Sequence, residues 1–403
     1  MSIRKVTVLI LICILAQGCA SWRKNYSNPL PPGEVALRKI TDPARIPDFR
    51  PAFGNRAGLE RSIDNSLEYF DHPSSKGFFP YLTITHDQAV QSLKQFKEVL
   101  KAAASPDDLQ RRIVADFDVY ESVGCDYKGT VLFTGYCTPI YDASRTPGAV
   151  FRYPLYKLPP DLVKDDRGQA LGRKTESGVI VPYYTRAEIQ LGDRLKGQEL
   201  IYLKDPLEAY LVHVQGSAKL RMPDGSFLEV GYAGKNGRDY RSLREMLVEA
   251  GKIDRDTASL ASIREYFRNN PKDVEAFLLR NDSLIFFTER PGGPYGSLNV
   301  PVSEYASLAT DKNQLPEVYP RGCIAFIQTR LPFVNKARAG KVEMLPYSGF
   351  AMDQDNGGAI RSAGRADLYL GVGPDAEMLA GHTMNEGKIY YIFVKPSLLR
   401  PRT

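Results

Sequence analysis

The 403-residue sequence predicts a mainly β protein of small barrels with flanking helices, and three observations predict it. From Val131 to Lys395 the chain breaks into short runs rich in Val, Ile, Tyr and Phe, side chains that suit a pleated, half-buried surface. Turn residues separate these runs at short intervals, which favours barrels over a βαβ sheet. Helical periodicity is confined to an N-terminal region and one interlude, so the order reads helix, β-block, helices, β-block.

Each element has a local reason. Thr85-His-Asp-Gln88 has the form of a capping box, and Val90, Leu93, Phe96, Val99 and Leu100 recur at helical spacing, predicting a helix over 86–103. The first β-block holds VLFTGYC (131–137), AVFRY (149–153), VIVPYY (179–184), AYLVHVQG (209–216) and AKLRM (218–222). Pro223-Asp-Gly225 then turns AKLRM into FLEVGYAG (227–234) as a hairpin. Ser242–Gly251, Thr257–Asn269 and Lys272–Asn281 read as helices, with Gly251 as a C-cap and Pro271 as a break. Strands return as SLIFFTE (283–289), CIAFIQ (323–328), GFAMD (349–353), ADLYLGVG (366–373) and KIYYIFVK (388–395).

Composition is globular, 43% hydrophobic and 25% charged, and the length suits two domains with cores of their own. The net charge of +6, or +4 without Arg4 and Lys5, is too mild for a nucleic-acid stripe and suits an anionic polymer or membrane surface. Arg4-Lys5 followed by the apolar run Val6–Leu15 reads as an export leader, because the run is too short to span a bilayer permanently. It ends in Leu15-Ala-Gln-Gly-Cys19, where an exported bacterial lipoprotein is cut and lipidated; the alternative is an ordinary cleaved signal with Cys19 incidental. Residues 1–18 are thus expected to be a signal peptide and 19–44 a lipidated, polar, proline-rich tether. Ser21, second after Cys19, favours the outer membrane and a periplasmic catalytic part. The remaining cysteines, Cys125, Cys137 and Cys323, match neither a disulfide framework nor a metal site; a Cys125–Cys137 bridge and three buried thiols both remain open.

Several motifs carry less than their form promises. Gly371-Val-Gly373-Pro-Asp-Ala376 imitates a dinucleotide fingerprint, but the next strand near Lys388 leaves no room for a crossover helix, and no acidic residue follows at the right distance. Asp355-Asn-Gly357 has the look of an aspartic-protease loop, but a second copy is missing. His72, His86, His213 and His382 show no metal spacing, and His213 reads as a packed strand residue. Val214-Gln-Gly-Ser-Ala218 and the stretch Tyr232–Ser242 offer aromatic faces and paired donors and acceptors of the kind sugars need, although Lys235-Asn-Gly237 alone would read as a β-turn.

Taken together, Phe133-Thr-Gly-Tyr-Cys-Thr-Pro139, Thr185-Arg-Ala-Glu-Ile189, Val214-Gln-Gly-Ser217, Tyr232-Ala-Gly-Lys-Asn-Gly237 and Asp355-Asn-Gly-Gly-Ala-Ile360 through Asp367 resemble, in order, the motifs of the membrane-bound lytic transglycosylase A family. The resemblance runs from about 125 to 395. It implies a double-psi β-barrel catalytic domain from 45–138 and 243–400, with a smaller substrate-binding barrel inserted at 139–242. It implies Asp311, Asp355 and Asp367 at the positions of a three-aspartate domain, with Asp367 the catalytic acid. Thr134, Tyr136, Gln215, Ser217, Tyr232, Asn236 and Asp355 would contact substrate; Asp355 reads first as a turn or hydrogen-bonding residue.

Gly357 and Gly358 are expected to allow a tight turn near the sugar. Strand alternation puts Asp367 and Tyr369 on one face, with Leu368 and Leu370 in the core. Arg365 shares the Asp367 face and is expected to point into the groove or toward solvent. Cys137, Asn356, Arg361 and Ser362 depart from the family pattern, Ser362 standing where glycine is common. The implied partners are peptidoglycan glycan strands, a membrane through the lipid anchor and a wall-synthesis complex; no cofactor, metal or nucleic acid is implied. A non-catalytic peptidoglycan-binding lipoprotein and a hydrolytic muramidase are the competing readings.

Overall fold

Six strands close into a barrel in the computed structural model, which describes residues 24–165, 168–255, 257–312, 317–335, 341–358 and 360–399. They are β1 (Val131–Thr138), β2 (Ser307–Thr310), β3 (Ile324–Asn335), β4 (Lys341–Asn356), β5 (Arg365–Val372) and β6 (Met384–Val394). Their order is β6-β3-β4-β2-β5-β1, with β1 pairing back onto β6. The β1–β5 and β2–β4 pairs are parallel and the other pairs antiparallel. Leu37–Lys39 and Phe117–Ser122 extend the sheet outward from β6.

The N-terminal helices cover this barrel because their apolar stripes meet its aromatic side chains. Phe96 of the helix His86–Ala102 packs 4.7 Å from Phe350 of β4, and Phe350 lies 5.0 Å from its cross-strand partner Phe326. Thr85 caps that helix by accepting from Gln88 N. The reciprocal half of the capping box is absent, because the Gln88 amide donates instead to Val394 O of β6.

A second sheet of six strands runs 285–289, 227–235, 217–221, 140–144, 199–203 and 153–156, and a bridge from Lys157 to Phe287 draws its two ends together. The helices Leu243–Glu249, Leu260–Asn269 and Asp273–Leu278 fill its core with Met246, Leu247, Phe267 and Phe277. The expectation that residues from 243 onward rejoin the first barrel is therefore not met until after Glu289. Ile285–Glu289 pairs with the 227–235 strand, and this sheet buries Phe287.

Other expectations change as well. AYLVHVQG is a helix, Pro206–Gln215, rather than a strand. Asp205 caps it by accepting from Glu208 N, Pro206 opens its first turn, and Gly216 ends it at φ 75°. These flanking signals outweigh the β-rich composition between them. Strand structure around 149–153 begins only at Tyr153, and around 179–184 it shrinks to Ile180–Val181 before Pro182, which has no N–H to give a ladder. A nine-residue helix, Pro374–His382, does fit between β5 and β6. At about 1.5 Å of rise per residue it covers about 13 Å, enough to pass across β1. Gly135 of β1 makes room for it: a Cβ there would sit 2.9 Å from Ala380 Cα.

The tether expected over 19–44 is docked from its first described residues, since Lys24 Nζ and Tyr26 Oη both donate to the Glu386 carboxylate, at 3.0 and 2.7 Å. The leader and Cys19 lie outside the described residues. Cys125, Cys137 and Cys323 are all free thiols, so no Cys125–Cys137 bridge forms.

Candidate active site

The parallel pairing of β5 with β1 builds the site. Its register sets Asp367 beside Thr134 and Tyr369 beside Tyr136, while Ala366, Leu368 and Leu370 turn into the barrel core. Asp367 accepts a short hydrogen bond from Thr134 Oγ1 and keeps a side-chain exposure of 16%. Beyond it the Tyr136 and Tyr369 rings lie 5.1 Å apart, and Tyr369 Oη donates to Thr138 Oγ1.

Arg365 stands on the groove side, but in contact with the acid rather than clear of it. Its guanidinium folds back over the acid, with Nε 3.2 Å from Asp367 Oδ1 and Nη2 3.4 Å from Oδ2, and both nitrogens also reach Thr134 Oγ1. Residues i and i+2 of a strand share a face, and an arginine stem is long enough to place its head over such a neighbour.

The other aspartates are held by the protein. Asp355 at the end of β4 accepts from Ser297 N at 2.7 Å and Asn356 N at 2.8 Å. Burial raises its carboxyl above the usual range, against the pull of those two N–H donors. Asp311 is buried and accepts from Ser362 N. Asp353, which sequence reading passed over, is fully buried and takes Lys312, Thr310 and Tyr391 as donors. Lys312 also donates to Asp355 O, so this pair supports the loop beneath the acid. Neither Gly357 nor Gly358 takes a positive φ; Ser362 does, at 62°.

The structure gathers some of the expected substrate contacts and disperses others. Thr134 and Tyr136 flank Asp367. Gln215 and Ser217 lie where the second sheet meets β1: Gln215 Oε1 accepts from Cys137 N, and Ser217 Oγ pairs with Thr138 Oγ1. Tyr232 stands 47% exposed on the 227–235 strand. Asn236 is corrected to a structural role. It is buried, its amide donates to Tyr184 O and Asp282 O, and its oxygen accepts from Leu284 N and Arg238 N, leaving nothing for a sugar. Tyr240 and Lys235, present in the same stretch but given no role from sequence, do lie near the site: the charge of Arg365 acts on the Tyr240 hydroxyl, and that of Arg361 on the Lys235 ammonium. Among the described residues no group of three His, Cys, Asp or Glu side chains gathers as a metal site.

A partly exposed carboxylate on a closed barrel, beside a second sheet, is an arrangement with known relatives. Residues 132–288 match the MltA specific insert domain and residues 306–393 the 3D domain. The membrane-bound lytic murein transglycosylase A of Vibrio cholerae is 32% identical over 283 residues, covering 68% of either chain. The crystal structure of the membrane-bound lytic murein transglycosylase from Agrobacterium tumefaciens superposes with a TM-score of 0.72 at 26% identity, over 89% of this chain and 98% of that one. The Escherichia coli MltA structure with bound chitohexaose shares the fold, with a TM-score of 0.67 at 24% identity over 94% and 98% of the two chains. The chain belongs to the membrane-bound lytic murein transglycosylase A family. It is a lyase acting on peptidoglycan. No helix among its described residues is long and apolar enough to cross a membrane.

Proposed function

We propose that Asp367 alone supplies the acid–base chemistry, cleaving the β-1,4 bond between N-acetylmuramic acid and N-acetylglucosamine and leaving 1,6-anhydromuramic ends. The observation that carries this reading is that Asp355 and Asp311 accept from backbone N–H groups and Asp353 from a buried lysine, whereas Asp367, 16% exposed, is held only by the Thr134 hydroxyl and the Arg365 guanidinium, side chains that can turn away. Glycoside hydrolysis normally needs two carboxylates, one to protonate the leaving oxygen and one to attack or to activate water. One is sufficient when the nucleophile belongs to the substrate.

Asp367 gives its proton to the glycosidic oxygen as the C1–O bond breaks, and the bonding pair leaves on the N-acetylglucosamine hydroxyl. The C6 hydroxyl oxygen of the muramyl residue then bonds to C1, and its proton passes to the Asp367 carboxylate. The acid is regenerated and no water is consumed. The attack is intramolecular, so proximity favours it. Tyr136, packed on the buried Tyr369, would offer a ring face to the sugars, and Gln215, Ser217 and Tyr232 would extend the groove along the second sheet.

Cys19 would carry the lipid that holds the enzyme to the outer membrane, facing the periplasm, and a wall-synthesis complex is the partner this location offers. Mass spectrometry of digested walls tests the chemistry, because anhydro ends weigh one water less than reducing ends. Mainly reducing ends, or labelled oxygen taken up from water, would make the enzyme a hydrolase and the single-acid reading wrong.

A further inference from the structure

We propose that Arg365 is a carboxylate hook: it covers Asp367 in the free enzyme and, when a strand enters the groove, trades that carboxylate for one carried by the muramyl residue. The inference rests on Asp367 being the acid and deepens that reading by naming what the substrate must bear.

The pairing has the geometry of a contact made to be exchanged. Its distances to the two Asp367 oxygens, 3.2 and 3.4 Å, are long for a charge-assisted fork, and the same nitrogens are shared with Thr134 Oγ1. Elsewhere in the chain, Arg111 reaches Asp108 at 2.6 Å. Arg365 keeps 26% side-chain exposure, so its head stands at the groove surface. An acid that must meet a glycosidic oxygen cannot keep a guanidinium across both of its oxygens. Arg365 therefore has to move, and a guanidinium cannot shed its charge to make moving easier.

No carboxylate of the surrounding loop is open to receive it. Asp355 is held by Ser297 and Asn356, Asp311 by Ser362, and Asp353 by Lys312, Thr310 and Tyr391. Basic side chains outnumber acidic ones on the neighbouring stretch. Lys235 is held below the usual lysine range, by burial first and by the Arg361 guanidinium second, against the opposing charge of the exposed Asp239. A groove that sets basic groups around its acid fits an anionic ligand better than a neutral one. The lactyl arm at C3 of the muramyl ring supplies one close to the scissile C1, either as its own free carboxylate in a peptide-stripped strand or through the carboxylates of an attached stem peptide.

The test uses the purified enzyme, Arg365→Gln and Arg365→Lys, and three substrates or ligands. These are peptide-bearing glycan strands, strands stripped by an amidase so that the lactyl carboxylate is free, and chitohexaose, which has no carboxylate. Losing one charge-assisted contact should raise KM for carboxylate-bearing strands about tenfold in Arg365→Gln. Chitohexaose affinity should stay at the wild-type value in both variants. Arg365→Lys, which keeps the charge without the fork, should recover part of the KM. A rise only with stripped strands assigns the hook to the lactyl carboxylate, and a rise only with peptide-bearing strands assigns it to the stem. Unchanged KM for both strands, or equal weakening of chitohexaose, overturns the proposal. Wild-type enzyme that makes no anhydro ends would instead sink the single-acid reading, so the two failures are distinguishable.

Discussion

Lys312→Met should cost the fold about 3–5 kcal/mol, the range for breaking a buried ion pair by removing one partner. The structure puts the site at the severe end of burial: side-chain exposure is 1% for Lys312 and 0% for Asp353. Removing the ammonium leaves Asp353 with only the Thr310 and Tyr391 hydroxyls, both of which are dipoles rather than charges. It also strips the donors from Thr310 Oγ1 and Asp355 O, both within 2.8 Å of Lys312 Nζ. Asp353→Asn strands the charge on the other side and should cost a similar amount. In the double variant Lys312→Met/Asp353→Asn no charge is left unpaired, and the amide oxygen can still accept from both hydroxyls. It should therefore lose much less than the sum of the singles, a coupling of about 2–3 kcal/mol. Urea unfolding followed by circular dichroism reads the differences, and for an m-value of about 3 kcal/mol/M a single variant should shift its midpoint by about 1–1.7 M. A single substitution costing less than about 1 kcal/mol, or additive singles, would refute the idea that this pair braces the barrel.

Asp367→Asn should lower wall-lytic turnover by about 10²–10⁴-fold, the usual worth of a positioned proton donor, with strand binding retained; near-wild-type turnover would remove Asp367 from the mechanism. Ser362→Gly should stabilise the chain by about 1 kcal/mol in the same unfolding assay, since it relieves a left-handed backbone and deletes a buried hydroxyl with no partner. Glu208 is held up at about 7 by burial first and by the neighbouring Asp205 charge second. Its folded value exceeds its unfolded one, so its contribution is complete below about pH 4.3 and is lost as pH rises through about 7; thermal melts of Glu208→Gln should decline less over that window than wild type. Cys19→Ser should move the protein from the membrane fraction to the soluble one with activity on isolated walls intact, and fatty-acid labelling should vanish with it. The chain from Cys19 to the docked Lys24 can span at most ~17 Å, so a lipidated enzyme would work close to its bilayer.

What could be read in advance depended on whether the information was local. The helix at 86–102, the hairpin around Asp224 and the barrel strands 131–138, 365–372 and 384–394 carry their own periodicity, caps and turns, and they fold where those signals place them; Ser307–Thr310 carried no such signal, and the expected runs 323–328 and 349–353 are only parts of Ile324–Asn335 and Lys341–Asn356. The helix Pro206–Gln215 was misread because Tyr210, Val212 and Val214 favour strands, while Asp205, Pro206 and Gly216 marked a helix from outside the run. The reach of the second sheet to Glu289 was not legible, since it rests on Ile285–Glu289 choosing the 227–235 strand as partner across a helical interlude. Within the site, alternation along β5 placed Asp367 and Arg365 on one face, but the rotamer that folds Arg365 onto the acid depends on Thr134 of another strand. Asn236 was misjudged for a related reason: its motif looks sugar-like, and only the fold reveals that four backbone groups already use it.

The glycine-rich turn between Asp355 and Asp367 sets two carboxylates in one motif, yet their surroundings assign them opposite work. Asp355 sits where β4 ends, and two backbone N–H groups and the Lys312 contact to its carbonyl tie it to the loop. Moving it would unmake the turn that carries Ile360 into the core and Ser362 onto Asp311. Asp367 is tied by side chains instead, a hydroxyl and a guanidinium, and both can reorient without disturbing any strand pairing. That difference is what favours Asp367 over Asp355 as the proposed proton donor. A carboxylate bound by backbone is part of the scaffold, whereas one bound by rotatable groups can be uncovered and covered again within a catalytic cycle. On the proposed reading the barrel uses several aspartates to shape one loop and Asp367 alone for the chemistry, as expected of an enzyme whose substrate brings its own nucleophile.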